Sequence, residues 1–455
     1  MSVNRRSMIA ASLGLGAATA AAAAHAAEPK PLRDTFRQLA HDIVPGLQPN
    51  VPDDQTALLQ TAIDAAASKD VPLALPPGVY RVSDLRLRSG TRIIGAARTT
   101  TLQFAGGAAF ITADKADGLV LQSLVIDGAF QTFNEERGEG LLNVANSKDI
   151  VIDDCEIRNS AKGGLSVLSC SGRVRNTTIA DALDFGLKSL DAAGLDVSGN
   201  TVTGCGNNGI LIWRSKKGED GSTVTNNRIT NIRNTAGGTG EYGNGVNVYL
   251  AGSVIVAQNR IADCTYTAVR GNGANNIQII ANSCERLGEV AIYSEFGSEG
   301  ALIANNMIDF AATGISVTNF NEGGRLAVIQ GNLIRNLFRR EKEPEDKRGE
   351  GIGVEADAVV SGNTIESAAT VGIQIGWGPF MRDIAVTGNV IRRSKVGITI
   401  TAAPEAGTCL IANNVISESK DGAIRTMMFG VTSGPDLARD GTANQRINVA
   451  GNVAI

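Results

Sequence analysis

Histidine is nearly absent from this 455-residue chain: there are two, His25 and His41. Multi-histidine zinc sites are therefore excluded, and any histidine-based triad would have to use one of these two residues. Aromatic residues make up 4% of the sequence. The six cysteines show no C-x-x-C spacing and no dense framework, which argues against a metal ribbon or a disulfide scaffold. They are expected to be buried thiols that pack as small apolar groups, the alternative being a disulfide of undeducible pairing in an oxidising compartment. A strong charge of either sign is also lacking, the formal net charge being −4. A nucleic-acid partner would favour a basic face, so none is expected. After the N-terminal 26 residues no stretch is long and apolar enough to span a bilayer, for which ~20 residues are needed.

The first residues carry an address. Asn4-Arg5-Arg6-Ser7-Met8-Ile9 precedes an Ala/Gly-rich apolar run that ends near Ala24, and Ala24-His25-Ala26 has the A-x-A form of a cleavage site. A charged start, a short apolar core and small residues at the cut describe a secretory signal, and the paired arginines point to the twin-arginine (Tat) machinery as export partner. Residues 1–26 are read as that signal, with the remainder periplasmic or secreted and without a membrane anchor. Cleavage removes Arg5, Arg6 and His25, taking the formal charge to −6 and leaving His41 alone. Residues 27–52 carry Pro29, Pro31, Pro45, Pro49 and Pro52 and read as an arm or linker.

What is abundant is repetition. The pattern Asn, any residue, aliphatic starts at Asn200, Asn227, Asn259, Asn282, Asn306, Asn332, Asn363, Asn389, Asn414 and Asn452, with steps of 23 to 38 residues. A period of this size marks a solenoid or an array. About 9 residues after most of these asparagines comes Gly or Ala followed by alternating aliphatics, as in Gly209-Ile210-Leu211-Ile212 and Gly397-Ile398-Thr399-Ile400. The alternation over four to six residues is that of strands. No long amphipathic helix fits between copies, which excludes a βαβ sheet. Coils of short strands bury their apolar residues only by stacking, ~4.8 Å apart. The fold expected is an all-β, single-stranded right-handed parallel β-helix over residues 53–455. Stacked asparagines are expected to form a hydrogen-bonded ladder at one corner. Long gaps after Asn227 and Asn332 place insertions at another corner. A helix begun by Asp53-Asp54 and running to Ser68, with Leu58, Ala62, Ile63 and Ala66 on one face, is expected to cap the first coil within residues 53–80.

Asp53-Asp54-Gln55-Thr56-Ala57-Leu58-Leu59-Gln60-Thr61-Ala62-Ile63-Asp64 and Leu75-Pro76-Pro77-Gly78-Val79-Tyr80 resemble the D-D-T-x-A-[IL]-Q-x-A-I-D helix and L-P-x-G-x-Y strand of the pectate-lyase-like superfamily. With the twin-arginine start and the repeats, the whole chain is similar to a family of Tat-translocated β-helix repeat proteins. That resemblance implies fold and export. Superfamily members include polysaccharide lyases, glycoside hydrolases and sugar epimerases. Their G-H-G, W-x-D-H, R-x-P-x-x-R and D-P-H-E segments are all missing here, and fold alone does not carry activity.

Alternation predicts which side chains point away from the core on successive coils: Leu211 and Trp213, Asn247 and Tyr249, Arg270 and Asn272, Tyr293 and Glu295, Ser316 and Thr318, then Gly353 and Glu355. Aromatic faces stack on sugars and amides bind hydroxyls, so Trp213, Asn247, Tyr249, Asn272 and Thr318 are candidate substrate contacts. Glu295 and Glu355, two coils and roughly 10 Å apart, are a candidate acid pair for glycoside hydrolysis. Arg270 or Tyr293 is a candidate base for a lyase, with Arg270 also suited to a uronate carboxylate. The insertion 231–244 and the charged stretch 338–350 are placed to wall this strip. Gly238-Thr239-Gly240-Glu241-Tyr242-Gly243 matches G-x-G-x-x-G but has no helix to receive a phosphate, so no dinucleotide site is expected. No metal or cofactor motif is present. The leading reading is an exported carbohydrate-active protein, a polysaccharide lyase or glycoside hydrolase. The alternative is a non-catalytic glycan-binding or cell-envelope structural protein.

Overall fold

The computed structural model describes residues 46–134, 138–318, 325–340, 349–440 and 445–455. The proposed signal peptide and most of the Pro-rich arm lie outside these residues. The chain winds as a right-handed parallel β-helix of three faces. The first face is a sheet of 15 strands that begins at Leu73–Ala74 and ends at Ile447–Ala450, each strand pairing in parallel with the equivalent strand of the next coil. The second face carries the Asn-x-aliphatic strands and the third the Gly-aliphatic-x-aliphatic strands. In several coils one strand runs through the corner between them, as Ser283–Glu295 and Met307–Thr318 do. Inward aliphatics stack in register. Ile210, Val246, Val269, Ile292, Ile315, Ile352 and Ile373 form one such column, all fully buried. Stacking like on like gives one core that runs the length of the molecule.

The asparagine ladder is continuous from Asn200 to Asn452. Each Nδ2 donates to the Oδ1 of the next asparagine at 2.9–3.1 Å. The same Oδ1 accepts the backbone N–H of the preceding asparagine, as Asn306 N to Asn332 Oδ1 at 2.9 Å. The second Nδ2 proton goes to a carbonyl of the first face, as Asn332 to Ile303 at 3.1 Å. The corner's buried polar groups are thus paired within the ladder. The residue before each asparagine is left-handed, with φ of 64° at Gly331 and 57° at Asn305. Glycine and asparagine tolerate that region best.

One expectation is corrected, on the face of the capping helix. Coils begin well before the repeat becomes regular, with first-face strands already at Arg92–Ile94 and Val120–Gln122. Below Asn200 the ladder position passes to Thr177, which accepts from the Cys155 N–H at 3.3 Å and donates its own N–H to Asn200 at 2.9 Å, so the Asn signal fades although the corner persists. The capping helix, α1 (Thr56–Ser68), buries Leu59 rather than Leu58, together with Ala62, Ile63 and Ala66. Its N-cap is Gln55, whose side chain instead ties Gln48, while Asp54 accepts the Thr56 N–H at 2.7 Å. The described end of the arm, residues 46–52, is hydrogen-bonded to the first coil. Asn50 donates its N–H to Val79 and accepts from it, and the Pro52 carbonyl accepts from Arg81.

At the far end Val431–Asp436 folds back antiparallel on Ile424–Met428, the one antiparallel pair among the described strands, and Leu437 plugs the core behind it. All six cysteines are buried and unpaired, as expected. Burial raises Cys155, Cys205, Cys284 and Cys409 to about 12, so these thiols stay protonated.

Candidate functional site

The third face brings the sequence candidates into two rows. Lys188, Leu211, Asn247, Arg270, Tyr293, Ser316 and Gly353 occupy one register position on consecutive coils. Leu190, Trp213, Tyr249, Asn272, Glu295 and Thr318 occupy the next. Glu355 follows directly on strand Glu350–Val354. The rows lie on the outer side of the face, as alternation predicts, but they are not a solvated strip. Leu211 and Glu355 are each 3% exposed and Asn247 6%, whereas Tyr249 is 40% exposed.

Cover comes from the first insertion. The Gly240 carbonyl accepts from Arg270 Nη1 at 2.6 Å, and the Glu241 carbonyl accepts from both Asn208 and Asn244. The Gly238 carbonyl accepts from Tyr266 Oη at 3.0 Å. Gly240 has φ +135°, and a Cβ there would run into the Arg270 guanidinium, so only glycine lets the loop lie this close. Of the charged stretch, Arg340 reaches the site and stacks 5.3 Å from the Tyr266 ring centroid. Residues 341–348 lie outside the described part.

Arg270 is the hub. Its Nε donates to Glu295 Oε1 at 2.6 Å, and its Nη2 lies 2.5 Å from the same oxygen. Its guanidinium sits 5.2 Å from the Tyr293 ring centroid. Asn272 Nδ2 adds a third donor to Glu295 at 3.3 Å. On the opposite side stands Glu289, with Oε2 3.9 Å from Arg270 Nη1 and Oε1 3.8 Å from Arg340 Nη1. Thr267 Oγ1 donates to Glu289 Oε2 at 3.3 Å. Both carboxylates are nearly enclosed, with side chains 3% and 6% exposed. Burial raises Glu295 above the ordinary carboxylate range, against the pull of Arg270. Burial also raises Tyr293 to about 12, helped by the Glu295 charge.

Of the two candidate bases, Tyr293 has its phenol pushed up by burial, and Arg270 is engaged by Glu295 and the Gly240 carbonyl. A second carboxylate facing Arg270 is that of Glu289, which the sequence reading did not single out. Sequence alternation missed Glu289 because the register shifts between Leu287 and Val290, where the long strand turns the corner. A signal was nonetheless present. Asn208, Asn244, Thr267, Thr313 and Glu350 stand directly before the Gly or Ala of their copies, a polar column in which Glu289 stands one place early. Asn244 Oδ1 is buried there without a partner.

Toward the N-terminus the groove opens into a cleft of about 380 Å³ lined by Asp184, Phe185, Lys188, Asn208, Trp213 and Tyr242, among others. Trp213 Nε1 donates to Asn247 Oδ1 at 3.3 Å, and its ring meets Tyr249 edge-on at 5.8 Å. Lys188 Nζ lies 5.4 Å from the Trp213 ring and 2.6 Å from Glu139. A larger cleft of about 990 Å³, lined by Arg393, Lys395, Glu418 and Asp421, contains none of the candidate residues. No cluster of metal-ligating side chains occurs among the described residues.

Residues 130–229 and 215–389 match the family described as the right handed beta helix region. The chain belongs to that family. No curated protein matches this β-helix protein in sequence. Among solved structures, the pre-mature gene product 12 of bacteriophage phi29 is similar at 14% identity and a TM-score of 0.52, over 87% of this chain and 57% of that one. The chain thus spans little more than half of the phage protein. PfbA, a surface adhesin of Streptococcus pneumoniae, aligns at 14% identity over 87% of this chain and 93% of its own, with a TM-score of 0.49. A GH87 α-1,3-glucanase of Streptomyces thermodiastaticus aligns at 16% identity over 91% and 68%, with a TM-score of 0.42. These likenesses are of fold.

Proposed function

We propose that this β-helix protein is exported by the twin-arginine route and acts on a polysaccharide laid along its third face, cleaving a glycosidic bond at the Arg270 cluster. The observation that carries this reading is the pair of buried carboxylates, Glu289 and Glu295, held on one guanidinium beside an aromatic-lined cleft. Burying such charges costs several kcal/mol per ion unless partners compensate, and a fold already stabilised by its core and ladder has no need of them. Trp213, Tyr249 and Tyr242 offer ring faces for sugars, and Asn247, Asn272 and Thr318 offer polar groups for hydroxyls.

One observation favours a second reading, a glycan-binding or envelope-structural protein. The Arg270 cluster is covered by the insertion, and its charges also fasten that insertion through Gly240. A polysaccharide panel with the exported protein separates the two, read by reducing ends, unsaturated products and affinity electrophoresis. Turnover that falls at least 100-fold in a folded Glu295→Gln protein supports catalysis. Retardation without turnover supports binding, and no response to any glycan removes the catalytic and glycan-binding readings and leaves the envelope-structural one. Export is tested separately: Arg5→Lys with Arg6→Lys is expected to leave the protein in the cytoplasm, and unchanged export would refute the Tat route.

A further inference from the structure

One segment lies between the open cleft and the enclosed charges. Its two ends are pinned at a single residue: the Ala236 N–H donates to Asn207 Oδ1 at 2.9 Å, and the Gly243 N–H donates to the Asn207 carbonyl. Residues 237–242 leave and return at that one place, the form of an Ω-loop. Of these residues only Gly240 is buried, so no side chain of the segment is sunk in a core. Side-chain donors hold it down by its carbonyls. Tyr266 Oη reaches Gly238, Arg270 Nη1 and Asn244 Nδ2 reach Gly240, and Asn208 and Asn244 reach Glu241, at 2.6–3.3 Å. A segment fastened by a few hydrogen bonds and no apolar burial belongs to the low-stability end of local opening. Gly237 and Gly243 bound it with φ of 79° and 86°, a region in which glycine turns without steric cost.

We infer that residues 237–242 are a strap that lifts from the Arg270 cluster, so that the enclosed charges alternate between the shut state of this structure and an open one joined to the Trp213 cleft. Tyr242 of the strap lines that cleft together with Leu211 and Trp213. Asn247 and then Arg270 follow Leu211 in the same row, two coils or roughly 10 Å on. Raising Gly240 to Tyr242 removes the wall between cleft and cluster. Lifting breaks the bonds to Tyr266, Arg270, Asn208 and Asn244. Water replaces each of them and hydrates Arg270, Glu289 and Glu295, whose burial is costly while the strap is down. That compensation lets the strap move while the aliphatic column beneath, Val246, Val269 and Ile292, stays buried. Lifting of the strap stands on these contacts alone; its meaning as the entry for a glycan rests on the reading above.

Thiol labelling of the exported protein tests the strap without any glycan. The six native cysteines are buried and burial raises every one, so they give a silent background and an internal alarm for unfolding. Asn247→Cys places a reporter thiol at a position 6% exposed, between the cleft and Arg270. Leu211→Cys, at a position 3% exposed beside Tyr242, is the second reporter should the first melt early. Ser215→Cys, on an exposed part of the strand that carries Leu211, is the open reference. The reporter is expected to react with iodoacetamide about 100-fold more slowly than Ser215→Cys, yet to completion while the native thiols stay unlabelled. Adding Tyr266→Phe removes one tether and is expected to speed the reporter about 5–10-fold. Gly240→Ala, whose Cβ would meet the Arg270 guanidinium, is expected to speed it at least as much. A reporter as inert as the native thiols in all three backgrounds would overturn the strap. So would labelling that keeps pace with the native cysteines, which reports global unfolding, or a rate equal to that of Ser215→Cys, which means that the strap never shuts. Xylan, polygalacturonate and alginate are then added in turn to the Leu211→Cys protein, in which the candidate sugar contacts are intact. Slower labelling with one of them supports entry of a glycan beneath the strap, and no effect from any counts against a glycan site there while leaving the strap standing.

Discussion

Asn332 shows what one side chain does in this fold. It is 1% exposed, accepts from the Asn306 N–H and Nδ2, and donates to Ile303 O and Asn363 Oδ1. Asn332→Ala leaves four buried groups short of a partner, each worth ~1–3 kcal/mol, so with partial relaxation a loss of about 3–5 kcal/mol is expected in denaturant unfolding. Asn332→Thr is expected to lose less, because a threonine hydroxyl already serves this corner at Thr177, below Asn200. The asparagines were legible in sequence because the ladder admits few other side chains. Glu289 was not, since its position depends on a register shift that no alternation rule contains. Glu295 carries a second residue-scale prediction. Its carboxyl is raised in the folded protein by burial, so the folded state binds a proton more tightly than the unfolded chain. The resulting penalty is absent below the ordinary carboxylate range and grows as pH climbs through it toward the raised value. Glu295→Gln is expected to flatten this decline, which urea unfolding across acidic to neutral pH would reveal. An unchanged slope would reject it.

Elements at the two ends were read unequally. The sequence indicated α1 through its apolar spacing, erring by one residue because Leu58 and Leu59 are adjacent and only packing decides between them. The C-terminal strand Val431–Asp436 carries no apolar alternation, its residues being exposed or half-buried, so no pattern announced it. What holds it is Asp436. Burial alone would raise this carboxyl, but the N–H groups of Ala423, Ile424 and Ala438, at 2.8–3.1 Å, together hold it below the ordinary range. A depressed carboxylate contributes stability above its unfolded pKa and loses it as pH falls through the folded one. The terminal cap is therefore expected to loosen in acid before the central coils do. Hydrogen exchange at Ala423 and Ile424 should accelerate on acidification beyond the intrinsic pH trend, and Asp436→Asn should show the faster exchange already at neutral pH. Equal protection in both proteins would count against Asp436 as the latch.

At the scale of the whole molecule, coils contact their neighbours and little else, so stability is close to a sum of coil terms and interfaces. That additivity is why fold class could be read from a period alone. It also explains why the site could not: the rows on the third face are covered by insertions whose path the repeat does not encode, and sequence alternation took covered side chains for solvated ones. The same additivity makes the caps decisive. Leu59 and Ile63 of α1 are fully buried against the first coil, over Leu75, Tyr80, Val82 and Leu85. Replacing both by Ala removes buried methyl and methylene groups at ~2–5 kcal/mol each. In a compact globule that loss would lower protection everywhere. Here it should be confined, fraying the coils between Leu73 and about Asp127 while those carrying the ladder from Asn200 onward keep their exchange rates. Hydrogen-exchange mass spectrometry of the Leu59→Ala, Ile63→Ala protein reads this directly as a gradient along the axis. A uniform fall from end to end would mean that the long column of stacked aliphatics unfolds as one cooperative unit, and that the charged cluster at Arg270 draws its rigidity from the entire solenoid rather than from the coils on either side of it.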